Sequence, residues 1–220
     1  IFTMHNIAKN KHHVGEEVAN AVTHGLGALA AVVALVLMLI KATPVLSGVN
    51  FAAVAIYGGS LVLLFLCSTL YHSFTHLPSG AWLQRLDHSA IFLLIAGTYT
   101  PFLMIALHTP QARLLLMVLW GIAFAGVMIK LFFLHRFERF SLLVYLVMGW
   151  LALFVVRDLY RALPTDAFQL LWIGGLVYTV GAAFYAADQY RYSHPIWHLF
   201  VLGGAACHCV AIGVYVIPTA

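Results

Sequence analysis

Apolar residues in this chain do not alternate with polar ones; they run on in seven stretches that are almost free of charge. The stretches are Val18–Ile40, Asn50–His72, His88–Leu107, Ala112–Leu134, Phe140–Val156, Ala167–Ala187 and Pro195–Ile217. A helix of about 20 apolar residues crosses the hydrocarbon core of a bilayer, whereas strands of a membrane barrel would alternate over about ten. The pattern therefore predicts an all-α membrane protein, a seven-transmembrane helix bundle over residues 18–217 after a short polar segment, 1–17. The fourth and fifth spans are the weakest. Lys130 interrupts the fourth near its end, and the fifth stops at Arg157.

Turn-forming residues fall between the spans: Thr43-Pro44, Ser47-Gly48, Pro78-Ser79-Gly80, Thr109-Pro110 and Pro164-Thr165-Asp166. Asp166 is placed to cap the sixth helix. Composition removes the alternative of a water-soluble fold. Charged residues are 8% of the 220 and hydrophobic ones 63%, where a soluble domain carries roughly a quarter charged.

The net charge of +4 is then topogenic, with no nucleic acid implied. With the N-terminus cytoplasmic, that side holds Lys9, Lys11, Arg85, Lys130, Arg136, Arg139 and Arg191. The other holds Lys41, Arg113, Arg157 and Arg161. The positive-inside rule favours N-terminus cytoplasmic, C-terminus outside. Trp82, Trp197, Tyr190 and Tyr192 would join the cytoplasmic aromatic belt and Trp172 the outer one. Ile1 to Gly15 lacks the apolar core of a signal peptide. Cys67, Cys207 and Cys209 lie inside apolar runs and read as packing residues, without a disulfide framework.

Polar residues inside the spans collect on one side. Glu17, Asn20 and His24 begin span 1, Ser68 and His72 end span 2, Asp87 and His88 open span 3, and His194 and His198 open span 7. In an up-and-down bundle all of these fall near the face that holds the N-terminus. Ser68 and His72 are four apart, as are His194 and His198, so each pair shares a helix face. Ionisable groups inside spans usually face the bundle interior and mark function. His72, His194 and His198 converging would suit Zn²⁺ with an open fourth position, and Asp87 could hold a water there. Glu17, Asn20, His24 and His88 would support the ligands from behind. The competing reading is a hydrogen-bonded polar cluster stapling helices 2, 3 and 7. His5, His12, His13, His76, His108 and His135 read as structural or solvated. His208 lies about 15 Å deeper than His198, too far to share a metal. Pro195 disfavours helical geometry at His194, which places His194 at the cap of helix 7.

The runs Glu17-Val-Ala-Asn20-Ala-Val-Thr23-His24, Ser68-Thr-Leu-Tyr-His72, Leu86-Asp87-His88-Ser89 and Ser193-His194-Pro-Ile-Trp-His198 together resemble the haemolysin III family. That family is the bacterial branch of the progestin and adipoQ receptors, related to alkaline ceramidases. The resemblance covers essentially the whole chain. It implies a multi-pass protein of the bacterial plasma membrane with zinc near the cytoplasmic leaflet. By motif, His72, His194 and His198 match the metal ligands, Asp87 the aspartate that holds the water, and Ser68 the serine beside the site. His88 stands where adiponectin receptors have tyrosine. The expected function is zinc-dependent hydrolysis of a lipid amide or ester, with Asp87 and Ser68 catalytic and a membrane lipid as substrate or ligand. The alternative is a non-enzymatic sensor of membrane state with structural zinc. Transport would want broken helices or midplane charges, and a retinal pigment would want a lysine in helix 7.

Overall fold

The computed structural model describes the backbone of residues 2–133, 138–187 and 189–219, and the side chains of 14–133, 140–187 and 189–219. The side chains of Lys9, Lys11, Arg136, Arg139, His5, His12, His13 and His135 lie outside the described residues. Seven helices are long and apolar enough to cross a membrane: Val14–Ala42, Gly48–Ser73, Gly80–Ala106, Pro110–Phe133, Phe140–Ala162, Thr165–Ala186 and Ser193–Val216. Among the described residues there is no strand. Span 1 belongs to a longer helix, Phe2–Ala42, so much of the polar leading segment continues the same helix. Val22, Leu26, Leu29, Val33 and Leu37 cover its outer face, all exposed. An apolar surface of that extent has lipid, not water, as its solvent.

Three boundaries differ from the sequence expectation. Span 3 begins at Gly80, so Asp87 and His88 sit two turns inside the helix and do not open it. The preceding stretch carries Gln84 and Arg85 but winds as helix because Trp82 and Leu86 take the apolar surroundings, and Arg85 stacks on Trp82 with 5.1 Å from its guanidinium carbon to the ring centroid. Span 5 does not stop at Arg157. It narrows to a 3-10 segment at Leu151–Val155 and continues to Ala162, so Arg157 and Arg161 occupy its last turns. Asp166 is not the cap of span 6; Pro164 holds that position and Asp166 lies in the first turn, where a carboxylate still complements the helix dipole.

Two spans end in wider π turns. Pro101 lacks the N–H that would bond the carbonyl four residues back, and the helix beyond it, Phe102–Ala106, is π. Span 7 ends likewise over Ala211–Val216. There Lys41 donates from Nζ to the carbonyls of Gly213 and Val214, both at 2.9 Å. Spans 1, 2 and 3 pack in sequence, and span 7 closes against spans 1 and 6. Spans 3, 5, 6 and 7 leave between them an elongated apolar cavity of about 180 Å³. Trp172 and Trp197 line it. Both are half-buried, whereas Trp82, Tyr190 and Tyr192 are exposed.

Candidate metal centre

The residues of the site come from four helices at one side of the bundle. Span 1 supplies Glu17, Asn20, Thr23 and His24, steps of three, three and one that keep them along one stripe. Span 2 supplies Ser68 and His72 one turn apart. Span 7 supplies His194 and His198. Its helix starts at Ser193 after Tyr192, whose φ of 61° is the left-handed conformation that turns the chain into the helix. The N–H of Tyr192 donates to Oε1 of Glu16 at 3.1 Å, tying that turn to span 1. His194 is thus inside the first turn, and Pro195 sits where no helical N–H partner is needed.

One potential ligand nitrogen from each of His72, His194 and His198 lies within 4.8 Å of the others. The ring centroids are 5.2 Å apart for His72–His194, 5.0 Å for His72–His198 and 4.8 Å for His194–His198. Such a triangle brackets one cation bound at about 2.0–2.1 Å from each nitrogen.

What lies behind the rings of His72 and His198 fixes which of their nitrogens faces the gap. Nδ1 of His72 donates to Oε2 of Glu17 at 2.6 Å, and Nε2 is left with a lone pair. The amide of Asn20 lies 3.4 Å from the same Nδ1. Nδ1 of His198 is 3.5 Å from the Thr23 hydroxyl, which itself donates to the carbonyl of Ala19 at 2.7 Å and so offers its lone pairs to the ring. The Nε2 atoms of His72, His194 and His198 are all buried and all without a hydrogen-bond partner. Nε2 of His24 is a fourth buried orphan beside them, outside the group of mutually close donors; bare imidazole nitrogens gathered in one place are costly for an empty polar cluster, and the three of the triangle are what a metal requires. The donor set fits a divalent cation that prefers nitrogen, with the carboxylate–histidine arrangement that orients such ligands.

Asp87 is buried beside this triangle but is not one of its three mutually close donors. It interacts with the Ser68 hydroxyl and with His72. Ser68 in turn is 2.7 Å from Nδ1 of His24, and the His24 ring stacks on His198 with centroids 3.5 Å apart. His24 and Asp87 both line the head of the apolar cavity. His88 is half-buried and outside the donor triangle; its carbonyl accepts from the Tyr145 hydroxyl at 2.9 Å. His76 and His108 are exposed, in keeping with a solvated role. The cysteines are free.

A family model described as Haemolysin-III related matches residues 12–209. The chain belongs to the haemolysin III family. Hemolysin-3 of Bacillus cereus is 45% identical over 207 residues, which are 94% of each chain. The Hemolysin-3 homolog of Bacillus subtilis (strain 168) is 46% identical over 193 residues, covering 88% of this chain and 91% of the relative. Similarity extends to the Monocyte to macrophage differentiation factor of Homo sapiens, 32% identical over 166 residues, covering 73% of this chain and 68% of that one. In this haemolysin III family member, a multi-pass membrane protein, the histidines that can hold a metal are those the motifs selected.

Sequence reasoning overlooked two contributors. Thr23 belongs to the first motif, and its spacing from Asn20 already put it on the same stripe. Trp197, set aside for the membrane belt, stands 4.9 Å from His194 and 5.2 Å from His198 between ring centroids and walls the site from the cavity side. Its spacing of one and three from the two histidines was the available signal.

Proposed function

We propose that this protein is a zinc-dependent hydrolase of lipid amide or ester bonds that serves membrane lipid homeostasis. The observation that carries the reading is the junction of two features: a triad of bare, buried imidazole nitrogens and, at Asp87, the head of an apolar cavity. The cavity lining on span 3 runs from Asp87 to Phe102, about 22 Å of helix, which suits an acyl chain. With the N-terminus cytoplasmic, the triad lies at the cytoplasmic leaflet, where a lipid headgroup can reach it from the side while the chain stays in hydrocarbon.

His72, His194 and His198 would hold zinc, which supplies Lewis acidity toward a carbonyl and acidifies a coordinated water. Asp87 accepts a hydrogen bond from the attacking water and takes its proton as general base. It then returns that proton to the leaving amine or alkoxide. The Ser68 hydroxyl, held between His24 and Asp87, keeps the carboxylate turned toward the reacting atoms. Glu17 fixes the His72 ring, and the apolar walls exclude competing water.

The test is turnover by purified, zinc-loaded protein on panels of acyl-amides and acyl-esters. Asp87→Asn is expected to lower the rate about 10²- to 10⁴-fold, the usual weight of a general base, while zinc stays bound. Zinc-loaded native protein that turns over no member of either panel would overturn the hydrolase reading and favour a sensor with structural zinc.

A further inference from the structure

Span 5 carries a break that its own sequence does not explain. The 3-10 segment Leu151–Val155 interrupts it. Trp150, with φ −89° and ψ −1°, and Val155, with φ −121° and ψ 16°, bound the break, both away from the helical ψ of about −42°. Residues 150–156 contain neither proline nor glycine. A helix also breaks where a side chain enters its ladder of hydrogen bonds, and Tyr99 of span 3 enters this one. Its hydroxyl accepts from the N–H of Ala152 at 2.8 Å and donates to the carbonyls of Met148 at 2.9 Å and Gly149 at 2.5 Å. In an unbroken helix the N–H of Ala152 would bond the carbonyl of Met148 directly. The hydroxyl stands between the two.

The broken stretch is also a wall. Tyr99, Gly149, Trp150, Ala152, Leu153 and Val156 all line the apolar cavity. Trp150 donates from Nε1 to Oγ1 of Thr179 at 3.1 Å, which ties the junction to span 6. A Cβ at Gly149 would meet nothing within 4 Å, so the backbone beside the break has room to move. An unpaired backbone group is costly in hydrocarbon, which ordinarily forbids a hinge in the middle of a span. Here both groups have partners either way: with the hydroxyl inserted they bond to it, and with it withdrawn they bond to each other. Withdrawal takes partners from the hydroxyl but returns five residues to the better hydrogen-bond geometry of the α-helix. The two effects oppose one another.

We propose that span 5 switches between these two forms with the Tyr99 hydroxyl as its pin, and that an acyl chain in the cavity selects the pinned form. The inference rests on the acyl-chain reading of the cavity and adds how that space is held open. A residue rises about 2.0 Å in a 3-10 helix and 1.5 Å in an α-helix. Unpinning five residues therefore shortens span 5 by about 2.5 Å and turns its first half against its second. Gly149 and Leu153 then leave the positions from which they line the cavity. Tyr99 is a positioning residue, acting on the chain through the backbone of span 5.

The experiment uses zinc-loaded protein in nanodiscs, with Cys67, Cys207 and Cys209 replaced by alanine. Spin labels go on cysteines introduced at Leu143 and Arg161, both exposed, about 27 Å apart along the span. Tyr99→Phe is expected to shorten the mean distance by about 2–3 Å and to weaken binding of octadecanoate about five- to tenfold, the weight of one neutral hydrogen bond, while zinc stays bound. A rigid wall predicts the opposite for binding, because taking a hydroxyl from an apolar lining leaves affinity unchanged or raises it. An unchanged distance in Tyr99→Phe, or binding as tight as native, would overturn the pin. If that variant fails to fold, the native protein decides: octadecanoate should narrow the distance distribution toward its longer component, and a distribution unaltered by bound octadecanoate would overturn the switch. Native protein that binds no octadecanoate would overturn the acyl-chain reading and selection by a chain with it, and the distance in Tyr99→Phe would still decide the pin.

Discussion

The carboxylate of Glu17 and the imidazole of His72 meet at 2.6 Å although 55 residues separate them in the chain. The contact joins the first two spans and settles the tautomer of a candidate metal ligand. Removing its charge should therefore act on the metal before it acts on the fold. Glu17→Gln is expected to weaken metal affinity about 10- to 100-fold, read by competition with a chelator. An unchanged affinity would mean that Glu17 does not orient His72.

The three histidines should behave as one unit. His72→Ala, His194→Ala and His198→Ala are each expected to lose stoichiometric metal by elemental analysis. Metal that binds only the folded state stabilises it in proportion to the logarithm of its saturation. The native protein should therefore melt lower in excess chelator, and each variant should melt at one temperature with or without it. A chelator response that survives in all three would place the metal elsewhere.

Ser68 serves two neighbours. Ser68→Ala leaves Nδ1 of His24 without its 2.7 Å partner and removes a hydroxyl from Asp87. An unsatisfied buried group costs about 1–3 kcal/mol, and the loss should appear as a lower melting temperature even in the metal-free protein. Equal stability of Ser68→Ala and native protein would show that the hydroxyl is not needed to satisfy those groups.

Span 4 offers a paired test of packing. A Cβ at Gly126 would collide with the ring of Phe92, whereas at Gly121 it would meet nothing within 4 Å. Alanine gains about 1 kcal/mol of helix propensity at either site, but overpacking at Gly126 costs about 1–3 kcal/mol. Gly121→Ala should raise or preserve the melting temperature and Gly126→Ala should fall below it. The reverse order would contradict the contact between spans 3 and 4.

Lys41 was legible only as a charge at a membrane boundary. Its two bonds to Gly213 and Val214 instead terminate the π turn of span 7. Lys41→Met is expected to speed amide hydrogen exchange over residues 213–217 while leaving exchange at Ser193–Val201 unchanged. Identical exchange in both segments would show that the ammonium does not hold that end.

The seven helices could be read from the sequence because an uninterrupted apolar run has few other solutions in a bilayer. The donor triangle could be read because His194 and His198 repeat at a helical interval and His72 ends a span on the same side. The reading failed where charge was taken as a boundary. Arg85 and Arg157 can ride on helices whose apolar faces continue past them, since long basic side chains reach toward polar surroundings from within a span. It said less about Trp172, Trp197 and His208. Spacing gives the depth of a residue in its helix but not the direction of its ring, and only the gap between spans 3, 5, 6 and 7 makes these three neighbours of one space.

That gap also bears on how the protein must be handled. An apolar space of some 180 Å³ bordered by spans 3, 5, 6 and 7 offers dispersion contacts to any alkyl chain that enters it. Alkyl detergents can fill such a space, and those that stabilise the bundle best will be the ones that compete most strongly for its interior. The choice of solubilising agent is then already a choice of ligand.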